Sequence, residues 1–218
     1  MEEKNDNLLR RYLVFLTGLA IAALGVAFST KAGLGTTPVA SVPYSVSLLL
    51  TCLSFGTWLN VLSIMQITAQ VIILRGKCSK LEIGIQTVLA FAYGYLTDMW
   101  VYVIRNLSVD TYLDQVLYML ISCVVLGFGI WLQFRGGVAM LPGEALNRAI
   151  ATVTGKKYAN IKIAADVLMI AAAAVICLAG LGRLEGVREG SIFAAVAVGC
   201  IIKVFERIYQ RIRAHVVK

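Results

Sequence analysis

Six apolar stretches of about 18–23 residues, a length that crosses a hydrocarbon core of roughly 30 Å as one helix, follow one another through this 218-residue chain. In lipid, every backbone N–H and C=O has to find its partner inside the segment, so such stretches fold as helices and little else. They run over residues 12–29, 55–74, 83–104, 113–134, 159–181 and 191–208. The remainder is too short to build a soluble domain. The expected fold class is therefore an all-α membrane protein with six transmembrane helices, one membrane domain over residues 1–218. Composition agrees: 59% of the residues are hydrophobic and 15% charged, against roughly 25% charged in a soluble domain. The first stretch follows Arg10 and Arg11 and is read as a retained signal-anchor, since further spans come after it.

Two shorter apolar segments, residues 38–51 and 142–154, are each entered through a glycine-rich turn and are short for a crossing. Both are expected to be half-helices, re-entrant or lying at the interface. The charges support that choice. If neither crosses, Arg10 and Arg11, then Arg75, Lys77 and Lys80, then Arg135, Arg148, Lys156 and Lys157, and finally Arg207, Arg211, Arg213 and Lys218 share one side. Basic loops stay in the cytoplasm, which places both termini there. The opposite side carries Asp110 and Asp114, and the balanced set Arg183, Glu185, Arg188 and Glu189. The net charge of +8 is thus a topology signal, and no nucleic-acid partner is expected.

The second half of the chain echoes the first. At a shift of about 104 positions, Gly25 meets Gly129, Lys31 meets Arg135, Gly33 meets Gly137 and Pro38 meets Pro142. A slightly larger shift aligns Gly84 with Gly190 and Gly94 with Gly199. Repeat 1 spans about residues 12–105 and repeat 2 about residues 113–208, each read as span, glycine turn, half-helix, span, span. Three crossings is an odd number, so the second copy is expected upside down relative to the first, a 3+3 inverted-topology repeat. Glycine also serves helix packing, so part of the match has that simpler meaning.

The glycine turns carry the candidate site. Lys31, Gly33, Gly35, Thr36 and Thr37 precede Pro38, and Arg135 and Gly137 precede Pro142, with Glu144 just beyond. Cations, glycines free to take positive φ and unpaired N–H groups at a helix start favour a carboxylate or phosphate. The plainer readings are that Thr36 or Thr37 caps a half-helix and that Glu144 complements a helix dipole. Lys162 and Asp166, four apart on the fifth span, share a helix face, and ionisable groups at such depth mark functional positions or structural pairs. Asp98 and Lys203 hold related positions in the third and sixth spans. Pairing Asp98 with Lys31, and Lys203 with Glu144 or Asp166, would give one charged gate per membrane face. Among Asn60, Gln66, Gln70 and Gln86, helix cross-linking is the expected role for most, with Asn60 and Gln66 taken as lining residues.

Catalysis finds little support. The one histidine, His215, lies in the basic tail, no H-E-x-x-H motif is present, and Asp98 and Asp166 are placed toward opposite faces. Cys52, Cys78, Cys123, Cys177 and Cys200 include no C-x-x-C pair and read as small packing residues. Neither an enzyme, a metal site nor a cofactor is expected.

The run Lys-Ala-Gly-Leu-Gly-Thr-Thr-Pro over residues 31–38, Pro-Gly-Glu over residues 142–144, Lys162 with Asp166, and Arg188-Glu189-Gly190 together resemble the YczE-like branch of the YczE/YyaS/YitT bacterial membrane proteins. The likeness covers almost the whole chain and implies an inner-membrane protein, without supplying a substrate. The functional expectation is a transporter of a small polar or anionic organic solute working by alternating access, coupled to a proton or a sodium ion. Asp98, Glu144, Lys162, Asp166 and Lys203 would serve coupling and gating, and the glycine turns with Asn60 and Gln66 would hold substrate. Two alternatives stand beside it: a substrate-binding subunit served by an external ATPase, since the chain has no nucleotide-binding P-loop, and a non-transporting scaffold or assembly factor. The expected partners are the solute and the lipid bilayer, and small residues such as those at 171–174 would also permit a homodimer.

Overall fold

A computed structural model describes residues 2–76 and 78–216, and over them the chain is helix joined by turns, with no strand among the described residues. Lys77 and Lys218, two of the basic residues used for topology, lie outside the described residues. The helices are α1 (Glu2–Ala32), α2 (Pro38–Leu49), α3 (Phe55–Ile73), α4 (Lys80–Val103), α5 (Tyr112–Gly136), α6 (Pro142–Thr154), α7 (Tyr158–Leu181) and α8 (Glu189–Val216). A single 3-10 turn, Ile104–Asn106, ends α4.

Helices α1, α3, α4, α5 and α7 are long and apolar enough to cross a membrane. That makes five such helices where six spans are expected. Residues 191–208 do form helix inside α8, but Lys203, Glu206 and Arg207 keep this stretch out of the strongly apolar group. The two short segments are helices of 12 and 13 residues, each with its proline in the first turn, where a missing N–H costs nothing. Gly137, Gly155 and Gly182 take the left-handed conformation that stops α5, α6 and α7. Thr111 and Asp114 close a reciprocal capping box at the start of α5.

The centre of the molecule is the pair α1 and α5, which run antiparallel. Along α1 from Arg11 to Ala32, the partner on α5 retreats from Gly136 through Gly129 and Leu126 to Met119. Glycines allow the close approach: a Cβ on Gly25 would stand 2.6 Å from the Leu126 nitrogen, and one on Gly129 would stand 2.5 Å from the Ala22 nitrogen. At this approach, side chains reach backbone across the interface. Ser122 Oγ donates to the Gly25 carbonyl at 2.8 Å, and Arg11 Nε donates to the Gly136 carbonyl at 2.9 Å.

Each half-helix leans on the other half of the chain. Ser41 of α2 donates to the carbonyl of Met169, midway along α7, at 3.3 Å. Further on, Cys177 meets Ser45 at 3.1 Å and Gly180 lies against Leu49. So α2 starts at the middle of α7 and runs parallel to it toward its C-terminal end. In the same way Gly143, in the first turn of α6, lies against Gln66, well inside α3, while Ala149 and Thr152 share a cleft with Gln70 and Leu74. Two short helices thus begin deep in the bundle and run to opposite ends of it.

Candidate functional site

The glycine turns deliver the start of α6 into the interior, and its first turn carries Glu144. On α7 Lys162 faces it: Lys162 Nζ is 3.4 Å from Glu144 Oε1 and 3.1 Å from Asp166 Oδ1. Asp166 is one helical turn beyond Lys162, so both carboxylates converge on one ammonium. The Tyr158 hydroxyl donates to the other oxygen of Glu144. All three charged side chains are between a quarter and a third exposed, too withdrawn to be free surface groups. Two carboxylates share one ammonium, so their charges are only partly compensated within the cluster. Of the expected coupling residues, the structure brings Glu144, Lys162 and Asp166 together, and Tyr158 joins them.

Other expected site residues go elsewhere. Asp98 does not meet Lys31. Its carboxylate accepts from the Gly56 N–H at 2.7 Å and from the Ser54 hydroxyl, so it holds the start of α3, where free N–H groups favour negative charge. Lys31 Nζ instead donates to the Arg105 carbonyl at 2.8 Å. Lys203 meets neither Glu144 nor Asp166: it is exposed and makes no ion pair among the described residues. Arg135 stacks over the Tyr209 ring, 3.8 Å from its centroid, and lies 4.0 Å from Glu206, fastening α8 to α5. Because α1 and α5 are antiparallel, Lys31 and Arg135 sit at opposite ends of the bundle. They cannot share one ligand.

The glycines of both turns do adopt positive φ: Gly33 at 67°, Gly35 at 92° and Gly137 at 57°. Their carbonyls are met by arginines, Arg188 on Gly33 at 3.1 Å and Arg11 on Gly137 at 2.9 Å. Thr37 stands at the N-cap of α2 without a side-chain capping bond, and the Thr36 hydroxyl is buried and unpartnered, so neither threonine caps the helix. Asn60 packs against Gly94 at the contact of α3 with α4, where its buried side-chain oxygen accepts no hydrogen bond. Gln66 lies beside the α6 start.

A cleft of about 270 Å³ opens between α3, α4 and α6, lined in part by Gln70, Cys78, Glu82, Met140, Arg148 and Thr152. Sequence reasoning misses most of it: Gln70 reads as helix cross-link, and Arg148 reads only as a topology charge. The available signal was the spacing of Gln66 and Gln70, one helical turn apart, which puts both amides on one face of α3.

The chain matches the family of unknown function DUF6198 over residues 9–207. It belongs to that family. The DUF6198 match takes in both half-helices and all five apolar spans. The chain is also 26% identical over 141 residues to the uncharacterized protein YyaS of Bacillus subtilis (strain 168), an overlap covering 64% of this chain and 68% of that one. No solved structure matches.

Proposed function

We propose that this DUF6198 protein is a multi-pass transporter of the bacterial cytoplasmic membrane that moves a small polar or anionic organic solute by alternating access, with both termini cytoplasmic. The observation that carries the reading is the reciprocal seating of the half-helices, α2 on α7 and α6 on α3. Under a shift of 104, the contact of Gly25 with Leu126 becomes that of Gly129 with Ala22, and both occur in the antiparallel α1–α5 pair. This is what two inverted copies of one unit produce, with residues 191–208 of α8 as the sixth crossing. In that topology each half-helix returns to the face from which its turn entered, which is re-entrant geometry.

The two copies are seated differently, as alternating access requires. On the α2 side the connection after α7 folds down onto the glycine turn: Gly190 N–H donates to the Leu34 carbonyl at 2.9 Å, Thr36 N–H to Gly186 at 3.4 Å, and Arg188 to Gly33. On the α6 side the corresponding place is the open cleft. The arrangement reads as closed to the outside and open to the cytoplasm. Glu144, Lys162 and Asp166 are positioned to carry a coupling proton or sodium ion, because the cluster lies at the base of the half-helix that would move. An Asp–Asp hydrolase is disfavoured, since Asp98 is committed to the start of α3 and Asp166 to Lys162. The residues of the two proline turns support assigning the chain to the YczE-like branch.

Reconstitution tests it. Purified protein in liposomes is expected to accumulate members of a mixed panel of labelled amino acids, organic acids and phosphorylated metabolites above protein-free vesicles, in a manner dependent on a proton or sodium gradient. Uptake equal to that of protein-free vesicles across the panel would remove the transport reading and favour a scaffold.

A further inference from the structure

The cleft between α3, α4 and α6 is lined by none of Glu144, Lys162 and Asp166, and two of its polar side chains, Gln70 and Arg148, lack strong partners. Gln70 is only 3% exposed, lines the cleft, and its Oε1 accepts no hydrogen bond. On α4, Gln86 directs its amide N–H to Glu82 Oε1 at 3.4 Å, which sets the orientation of the amide and leaves its own buried Oε1 without a donor. Buried carbonyl oxygens in native proteins are nearly always paired, so the Gln70 oxygen in the cleft wall points to a missing donor. The opposite wall lacks an acceptor instead. Arg148 reaches the Met140 sulfur at 3.6 Å, a weak partner for a guanidinium, and pairs with no carboxylate among the described residues. Glu82 and Arg148 line the same space yet make no ion pair with each other.

We propose that this cleft binds a small zwitterion of amino-acid size, bearing one ammonium and one carboxylate. An ammonium brings three N–H donors to the Glu82 carboxylate and the Gln70 oxygen, and a carboxylate fits the planar fork of Arg148. A ligand of one sign fits less well. A simple anion would face Glu82, and a simple cation would face Arg148. The size is in keeping, because about 270 Å³ falls just under the roughly 300–1,000 Å³ of pockets that take drug-sized molecules. The inference names a substrate class for the transport reading and rests on that reading for the fate of the solute, not for its binding.

The test uses the full-length protein in detergent, melted in the presence of a panel of α-amino acids, their N-acetyl derivatives and their amides. At least one zwitterion is expected to raise the melting temperature saturably, because a ligand held only by the folded state stabilises it by mass action. The derivative lacking either charge should bind at least tenfold more weakly, and Glu82→Gln and Arg148→Gln should each weaken the zwitterion at least tenfold. Both side chains are exposed, so these variants are expected to fold. Cys78 gives a second readout from the cleft wall: in Cys52→Ser/Cys200→Ser protein, the bound zwitterion should slow its alkylation by N-ethylmaleimide at least threefold. The proposal is overturned if no panel member shifts the melt, if the single-charge derivatives bind equally, if both variants bind like the parent, or if Cys78 is unprotected. Saturable binding without uptake in liposomes keeps the site and ends the transport reading. Uptake unaltered in both variants does the reverse.

Discussion

Gly25 on α1 and Leu126 on α5 meet backbone to backbone, leaving no room for a side chain on the glycine: a Cβ there would come within 2.7 Å of three Leu126 atoms. The atoms in the way belong to the main chain and the Cβ of Leu126, so no rotamer change relieves the clash. Gly25→Ala is therefore expected to destabilise the protein by about 1–3 kcal/mol, the usual cost of overpacking a filled interior. Gly199, on α8, has nothing within 4 Å of such a Cβ. Gly199→Ala should leave stability unchanged or raise it by up to roughly 1 kcal/mol through helix propensity. Melting of both variants in one detergent checks the contrast, and equal losses would show that α1 and α5 do not form the tight central pair.

Lys162 is the only cation in contact with two carboxylates in the described structure, which sets an order among substitutions in the cluster. Lys162→Met leaves Glu144 and Asp166 facing each other without compensation. Its expected cost is roughly 1–3 kcal/mol, between the ~0–1 of exposed ion pairs and the ~3–5 of a buried pair broken on one side. Asp166→Asn and Glu144→Gln each leave Lys162 with one carboxylate and should cost less than Lys162→Met. Adding Asp166→Asn to Lys162→Met should restore part of the loss, because it removes one of the two opposed charges. Transport should fall at least tenfold in Asp166→Asn and Glu144→Gln while their melting temperatures stay near the parent value. Normal uptake in both would detach the cluster from coupling.

What the residues alone reveal follows from which part of the physics is local. Pro38 and Pro142, each behind glycines with positive φ, mark where the half-helices begin, and α6 ends at Thr154, where the apolar run and Gly155 place it. Position along each helix is also legible, since the bounds of the apolar stretches fix which residues sit near which helix end. The direction a side chain takes around its helix is not. Asp98 and Lys31 lie toward the same end, yet Asp98 meets the start of α3, because the α3–α4 contact through Gly56 and Gly94 turns that face of α4 to it. Likewise Gln66 and Gln70 differ by one turn, and only the seating of α6 decides that the second lines the cleft. Glu144 and Lys162 come from separate helices, and the pair becomes visible only once α6 folds back beside α7.

Asp98 supplies a prediction opposite to that for the cluster. It accepts hydrogen bonds from Gly56 N–H and the Ser54 hydroxyl, the work of a helix cap borrowed from a neighbouring helix. Asp98→Ala should lower stability by about 0.5–2 kcal/mol, the range for removing a cap. Asp98→Asn, which keeps an acceptor oxygen, should lose less. Neither is expected to change the ion dependence of transport, measured as uptake against pH and sodium. A shifted pH profile in Asp98→Asn would return Asp98 to the coupling set.

The closed seam between α2 and α7 allows a direct test of movement. Ser45 Oγ stands 3.1 Å from Cys177 Sγ, and both residues are buried. A disulfide needs its sulfurs at about 2.05 Å and its Cβ atoms at about 3.8 Å. Ser45→Cys places a thiol within a small adjustment of that geometry, so oxidation should link α2 to α7 as the two helices are seated here. If the outer path opens by lifting α2 away from α7, the linked protein should lose at least nine-tenths of its uptake and regain it on reduction. The reduced variant, with a sulfur in place of an oxygen, should transport near the parent rate. Cys177 is the natural residue, so Cys177→Ser in the same background provides the control that cannot be linked. Full transport by the oxidised, demonstrably linked protein would show that α2 stays on α7 throughout the cycle, and the alternating movement would then have to lie at the α6–α3 seam alone.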